Sequence, residues 1–272
     1  MLKGKRIAVI GGGKMGGALI GGLISGGLVE TKALKVADND EKQRGEIVRA
    51  FGVEAVADNR EAVREADVVI LAVKPQNMTE VLAELATAVM PSALVISIAA
   101  GISTAFIEER LGKGARVVRV MPNMPALIGE GAAAIAAGAS ATEADAKLVR
   151  SIFDAVGITV EVKETLMDAI TGLSGSGPGY AFFIIEAFTD AGVQVGLDRE
   201  TALRLSAQSF FGAAKLCLLG EKPPAELRAM VTSPGGTTLA GLKVLEEGRL
   251  RETLISAVEA ATRRSAELGG RK

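Results

Sequence analysis

The chain predicts an α/β fold: a Rossmann-type, doubly wound and mostly parallel sheet followed by an all-helical C-terminal domain. Three observations carry that prediction. An apolar run, Ile7 to Ile10, breaks into glycines at the spacing Gly11-x-Gly13-x-x-Gly16, after which Ala18, Leu19, Ile20 and Leu23 begin a helical pattern. Continuous apolar runs then recur at Asp67–Val73, Ala93–Ile98 and Arg116–Met121, as in strands covered on both faces. Beyond Lys163 such runs stop and helical periodicity takes over. The domain boundary is placed there, giving a sheet domain over 1–163 and a helical domain over 164–272.

The elements follow in order. Strand, glycine turn and helix N-terminus at Ile7–Gly16 match a dinucleotide-binding turn, in which Gly11 permits the bend, Gly13 admits a pyrophosphate and Gly16 lets helix and strand pack closely. In isolation such a glycine spacing can also be a turn that binds nothing; the flanking strand and helix favour the dinucleotide. Leu34–Asp38 is a second strand. Asp38 lies about 20 residues beyond Gly16, where an acid binds ribose in NAD-type folds, although a solvated strand-end acid is also compatible. A helix carrying Lys42, Gln43 and Arg44 ends before Gly52, Gly52–Val56 is a short strand, and Asn59 starts another helix. Three buried strands follow, ending at Lys74-Pro75-Gln76, Ala99-Ala100-Gly101 and Pro122–Pro125, all on the carboxyl edge where such sheets bind ligands. Gly131–Ala139 is a strand of small residues, Thr142–Asp145 a capped helix start, and Ile158–Val162 closes the sheet.

Composition narrows the function. The chain has 272 residues, 49% of them apolar, and a net charge of −1, which fits a soluble protein of about two domains with no basic excess for nucleic acid. One cysteine, Cys217, excludes an intrachain disulfide, fits a reducing cytoplasm and is expected to be a small buried hydrophobe. The absence of histidine removes every imidazole-based mechanism and any His/Cys metal site, so no metal is expected. The segment Gly11 to Gly17 interrupts the only early apolar run, against a secretory signal. Leu85–Ile107 carries no charge, but Pro91, Ser92, Ser97, Gly101 and Ser103 break it into helix end, turn, strand and turn, against a membrane span.

The helical half, rich in alanine and leucine, suits a dimer interface as well as packing within its own chain. Two glycine-rich stretches interrupt it, Gly172–Tyr180 and Val231–Leu239. In the second, Pro234, Gly235 and Gly236 precede a helix over Thr238–Glu246, whose first amides and the hydroxyls of Ser233, Thr237 and Thr238 would suit a carboxylate. A capped helix after a turn would look the same locally.

At these residues the chain resembles the pyrroline-5-carboxylate reductases, which make L-proline. The resemblance runs over nearly the whole length. Its specific parts are Asp168–Pro178 (DAITGLSGSGP) and Ser233–Gly241 (SPGGTTLAG), supported by Ala72–Gln76, Ala99–Ser103 and Arg119–Ala126. It implies that Gly11, Gly13, Lys14, Met15 and Gly16 hold the pyrophosphate of NADPH or NADH. Asn59 and the loop Ala72, Val73, Lys74 and Pro75 contact the adenosine ribose and the nicotinamide side, and Ala99, Ala100 and Gly101 line the nicotinamide. Ser233 and the backbone of Gly236, Thr237 and Thr238 receive the substrate carboxylate. The Thr238 hydroxyl, near the ring nitrogen, is the candidate catalytic group, and Glu164 approaches the substrate. A second subunit completes the pocket through the helical domain, so a homodimer is the minimum expectation and a decamer of five dimers is known in the family.

The chain departs from the family after its second strand, where Asp38-Asn39-Asp40-Glu41 replaces the serine, threonine or arginine of many NADPH-preferring members. These acids would repel a 2′-phosphate, with Lys42 and Arg44 as possible compensation, so the sequence leans toward NADH. An alternative enzyme class, the β-hydroxyacid dehydrogenases, uses a lysine on the first long helix of the second domain, and Tyr180–Gly196 contains none. A non-catalytic NAD(P)-binding dimer is the alternative outside enzymes.

Overall fold

The computed structural model describes residues 2–270. Its sheet elements run β1 (Ile7–Ile10), α1 (Lys14–Ser25), β2 (Leu34–Ala37), α2 (Glu41–Phe51), β3 (Glu54–Val56), α3 (Asn59–Val63), β4 (Val68–Leu71) and α4 (Met78–Leu85). Then come β5 (Leu94–Ser97), α5 (Thr104–Leu111), β6 (Arg116–Met121), β7 (Gly131–Ala137), α6 (Glu143–Phe153) and β8 (Gly157–Glu161). The eight strands lie in the order β3-β2-β1-β4-β5-β6-β7-β8. Six are parallel, with Ile7 in register with Leu34 on one side and Val68 on the other. A short connection through the turn Met124–Ile128 brings β7 back antiparallel to β6, and the crossover α6 then sets β8 parallel to β7.

Strand pleating explains why both faces are covered. Along β1, Ile7 and Val9 point into a core with Leu19, Ile20 and Leu23 of α1 and Val149, Ile152 and Phe153 of α6. Ala8 and Ile10 point into the opposite core, with Val63, Met78, Leu82, Leu85 and Ile107. Each such side chain contributes about 1.5–3 kcal/mol by leaving water. The uncharged stretch Leu85–Ile107 resolves into the end of α4, all of β5 and the start of α5, and no helix among the described residues is long and apolar enough to cross a membrane.

A turn over Glu164–Leu166, α7 (Met167–Ile170) and a π-helical turn (Thr171–Gly175) lead into α8 (Gly177–Gln194), α9 (Arg199–Leu218), α10 (Pro224–Met230), α11 (Thr237–Glu247) and α12 (Leu250–Gly269). Packing divides the chain differently from composition. One compact unit holds the sheet, the residues up to Ser176 and those from Ala260 onward; the other is Gly177–Glu259. Strands do end near Lys163, but Met167 still packs against Ala134 and Ala136 of β7, so the sheet unit continues past that point.

Within the helical unit, Phe188 and Phe210 meet edge to face at 5.1 Å between α8 and α9, and Gly192 faces the Ala202 methyl with no room for a side chain of its own. Only Thr189 and Ala202 are buried there. Cys217, expected inside, is exposed on α9. The reason is the same for the whole unit: a single copy buries almost nothing between these helices.

The sheet unit contains a buried charge that holds β6 to α6. The Asp145 carboxylate is 7% exposed; it accepts from Arg116 Nη1 at 2.8 Å and from the Thr142 amide and hydroxyl at 2.9 and 2.8 Å, closing a capping box. Replacing Asp145 by Ala is expected to cost about 2–4 kcal/mol, since Arg116 and the first turn of α6 lose their partner together. Urea unfolding followed by circular dichroism checks this.

Candidate active site

The glycine turn after β1 has two positions that admit no side chain. Gly11 has φ +101°, and a Cβ there would lie 2.7 Å from the carbonyl oxygen of Ala72 on β4's outgoing loop. At Gly16 a Cβ would collide with the carbonyl oxygen of Gly11. Gly13 caps α1 without a side-chain partner and its Cβ direction is open. The first amides of α1, from Lys14, Met15 and Gly16, therefore open the helix with no preceding helical carbonyl in reach, and exposed Lys14 adds a positive charge. This is an anion cradle suited to a pyrophosphate.

The Gly12 peptide is gripped from both sides by the β2–α2 connection. Its N–H donates to Asp38 Oδ2 at 2.8 Å, and its carbonyl accepts from Gln43 Nε2 at 2.7 Å. Asp38 Oδ1 accepts from the Asp40 amide at 2.9 Å, and Arg44 Nη1 donates to the Asp38 carbonyl at 2.8 Å. Asp38, expected as a ribose ligand, is thus also the brace of the glycine turn. Gln43 was not singled out as a site residue, because its role depends on a partner far away in sequence.

A cleft of 840 Å³ opens between the β1 and β4 loops, where the strand order reverses. Gly11, Gly13, Asp38, Asn59, Ala72, Val73 and Lys74 line it, together with Asn39, Asp40, Gln43, Asn77 and Glu84. Asn59 Nδ2 donates to Glu84 Oε2 at 2.7 Å, which fixes the amide at the cleft wall. The donors, the uncapped helix and the size of the cleft fit the adenosine and pyrophosphate of a dinucleotide.

Next to it, Pro75, Ala100 and Gly101 line a second, mostly apolar cavity of 550 Å³, closed by Thr171, Ser176 and residues 261–268 of α12. The Ala99–Gly101 segment is a tight turn: Ile102 N donates to the Ala99 carbonyl, and Gly101 has φ +71°. The Glu164 carboxylate accepts from the Thr104 amide and hydroxyl at 2.8 and 2.6 Å and from Arg119 Nη1 at 3.3 Å. Asn123 is a further residue that sequence reading named only as part of a motif. Its Oδ1 accepts from the Ala132 amide at 2.8 Å and its Nδ2 donates to the Ser174 carbonyl at 3.0 Å. That clasp ties β7 to the π-helical turn, a distortion often found at functional sites.

In the helical unit, Gly235 has φ +71° and Gly236 caps α11 without a side-chain partner. The Gly236 amide donates to the Ser233 carbonyl at 3.0 Å, so the amides of Thr237 and Thr238 are the ones left to open the helix. Helix α11 begins one residue earlier than its sequence pattern suggested, which places both threonines in its first turn.

Comparison with known proteins decides the family. Residues 164–268 match the family model described as pyrroline-5-carboxylate reductase dimerisation, and residues 6–101 match that of an NADP oxidoreductase, coenzyme F420-dependent. A pyrroline-5-carboxylate reductase of Methanosarcina acetivorans is 46% identical over 98% of this chain and 99% of its own. The chain belongs to the pyrroline-5-carboxylate reductase family. A Coxiella burnetii member superposes with a TM-score of 0.92 at 41% identity, covering 97% of this chain and 98% of that one. A Plasmodium falciparum member, solved with NADP bound, gives 0.88 at 33% identity over 99% and 100%. The N-terminal match and these relatives make the chain an oxidoreductase-family protein with a nicotinamide-dinucleotide fold.

Two outcomes follow from the geometry. Gly16→Ala is expected to abolish measurable NAD(P)H binding by calorimetry, since the new methyl must push Gly11 out of its turn. Asn123→Leu is expected to lower stability by about 1–3 kcal/mol, leaving the Ala132 amide and Ser174 carbonyl unpaired; thermal unfolding measures it.

Proposed function

We propose that this chain reduces the C=N bond of 1-pyrroline-5-carboxylate to L-proline with NAD(P)H, the last step of proline biosynthesis. The observation that carries the reading is end-to-end identity of 46% to a relative of that name, spanning both the sheet and the helical domain. The supporting geometry is two uncapped helix starts, one at Gly13 for a pyrophosphate and one at Gly236 for a carboxylate.

Gly11, Gly13, Lys14, Met15 and Gly16 hold the pyrophosphate; Asp38 and Asn59 serve the adenosine ribose. Ala72, Val73, Lys74 and Pro75 lead from the ribose to the nicotinamide, which rests on Ala99, Ala100 and Gly101. When bound, the dihydronicotinamide supplies the hydride. The amides of Thr237 and Thr238, with Ser233 and Gly236 shaping the loop, take the substrate carboxylate. An imine nitrogen is basic enough to arrive protonated, so the chain's task is orientation more than acid catalysis. The Thr238 hydroxyl is suited to that: it bonds the ring nitrogen or relays a proton from water. Glu164 belongs to the substrate side by resemblance, and its carboxylate is bonded to Thr104 and Arg119.

The helical unit of a second copy completes the pocket. The assembly is a homodimer, or a decamer of five such dimers, in the cytoplasm. The acids Asp38 and Asp40 favour NADH over a 2′-phosphate, while Arg44 lies against the same turn.

Thr238→Ala is expected to lower kcat by about 100-fold with the NAD(P)H affinity kept, followed as absorbance loss with proline formation; retained turnover removes Thr238 from catalysis. For the cofactor, kcat/KM with NADH is expected to equal or exceed that with NADPH, and Arg44→Ala to lower only the NADPH value. A strong NADPH preference in the wild type would overturn the lean toward NADH.

A further inference from the structure

The turn expected under the nicotinamide has every part fixed except its tip. On its incoming side, fully buried Ser97 accepts from the Ala99 amide at 3.3 Å through its hydroxyl. Ala99 and Ile102 are buried, and Ser103 caps α5 by accepting from the Phe106 amide at 3.1 Å. Ala100 alone is exposed. On the outgoing side the anchor is not local. Thr104, 4% exposed, gives both its amide and its hydroxyl to one carboxylate, that of Glu164, which is 60 positions away in the chain.

Three features make this anchor strong. The carboxylate sits on the first turn of α5, where the helix's free amides and dipole favour negative charge. It holds two donors of the same residue with its two oxygens, so Thr104 is fixed in position and in rotation. Behind it stands Arg119 on β6, whose side chain is 8% exposed and whose Nη1 donates to the same carboxylate at 3.3 Å. Glu164 itself opens the turn that leads into α7 and the π-helical Thr171–Gly175 segment. One side chain therefore links the Ala99–Gly101 turn, β6 and the segment that carries Thr171, and Gly101 and Thr171 line the same 550 Å³ cavity.

We propose that Glu164 is a positioning residue: through Thr104 it sets the Ala99–Gly101 turn where the nicotinamide end of the cofactor must rest. This deepens the proposed function and rests on its placement of the nicotinamide. It gives Glu164 an indirect role, through Thr104, where the resemblance implies a direct approach to the substrate.

Binding measurements separate the possibilities without any turnover. Affinities of the full-length protein for NADPH, NADH and ADP-ribose are measured for Glu164→Gln, Thr104→Val, their double variant and Thr104→Ser. Either of the first two is expected to weaken the reduced dinucleotides about tenfold, the size of one lost charged hydrogen bond. ADP-ribose, which lacks the nicotinamide, is expected to bind unchanged. The double variant should be no weaker than the single ones, because both remove the same contact. Thr104→Ser keeps both donors and should retain wild-type affinity.

Equal weakening of ADP-ribose, or a lowered melting temperature with all affinities unchanged, would overturn the proposal. So would a harmless Thr104→Val beside a Glu164→Gln variant that raises only the KM for pyrroline-5-carboxylate, which would return Glu164 to the substrate. If Glu164→Gln fails to fold, the Thr104 valine and serine variants still decide. Wild-type turnover of the imine, assayed separately, tests the proposed function itself, so the two failures are distinguishable.

Discussion

A helical unit that buries only Thr189 and Ala202 within itself is the constraint from which much of the rest follows. Phe182, Phe183, Phe188 and Phe211 are exposed in the single chain, with Val195 at 82%. A second copy laid against the same helices would cover these side chains, each contributing about 1.5–3 kcal/mol by leaving water, and the match of residues 164–268 to a dimerisation model agrees. The unit is a half-core.

The sheet unit solves the opposite problem. Its two cores are complete, and its rigidity is spent at the carboxyl edge. There, loops are tied by contacts between distant residues: Asp38 and Gln43 on Gly12, Glu84 on Asn59, Glu164 on Thr104, Asn123 on Ser174. None of these ties lies between neighbours in sequence. All but the Glu84–Asn59 pair, which joins two side chains, use an amide or carboxylate to satisfy backbone groups that the end of a strand or helix leaves open, and so a polar edge becomes a shaped one.

That division explains what could be read from the amino-acid order. Strands β1, β4, β5 and β6 announce themselves as apolar runs because a doubly covered sheet demands it. Gly11 and Gly16 follow from a spacing because backbone oxygens stand where their side chains would be. The capping box at Thr142 was equally plain, its partners being three residues apart. The grip on Gly12 and the Glu164 clasp were not legible, since no periodicity encodes a pair separated by a crossover. The return of residues from Ala260 onward to the sheet unit was hidden for a related reason: α12 keeps one helical pattern while its end changes neighbours, with Ser265 donating to Asp168 at 2.6 Å. Cys217 misled because this unit buries almost nothing within one chain.

The chemistry assigned to the chain suits a site built this way. A carbonyl gathers negative charge on oxygen as hydride arrives and needs a strong acid beside it. A protonated imine loses positive charge instead, so a well-placed acid offers it little, and a neutral hydroxyl suffices to orient its N–H. What such a reaction needs is geometry: a carboxylate held at one end, a nicotinamide face held at the other, and a carbon between them at reacting distance. The chain has no histidine to offer. Its resources are helix starts without side-chain caps, two threonines on the first turn of α11, and carboxylates used as clamps on the backbone. On this view Glu164 and Asp38 act by fixing loops while the substrate's own nitrogen carries the proton, and a chain without imidazole lacks nothing that the reaction requires.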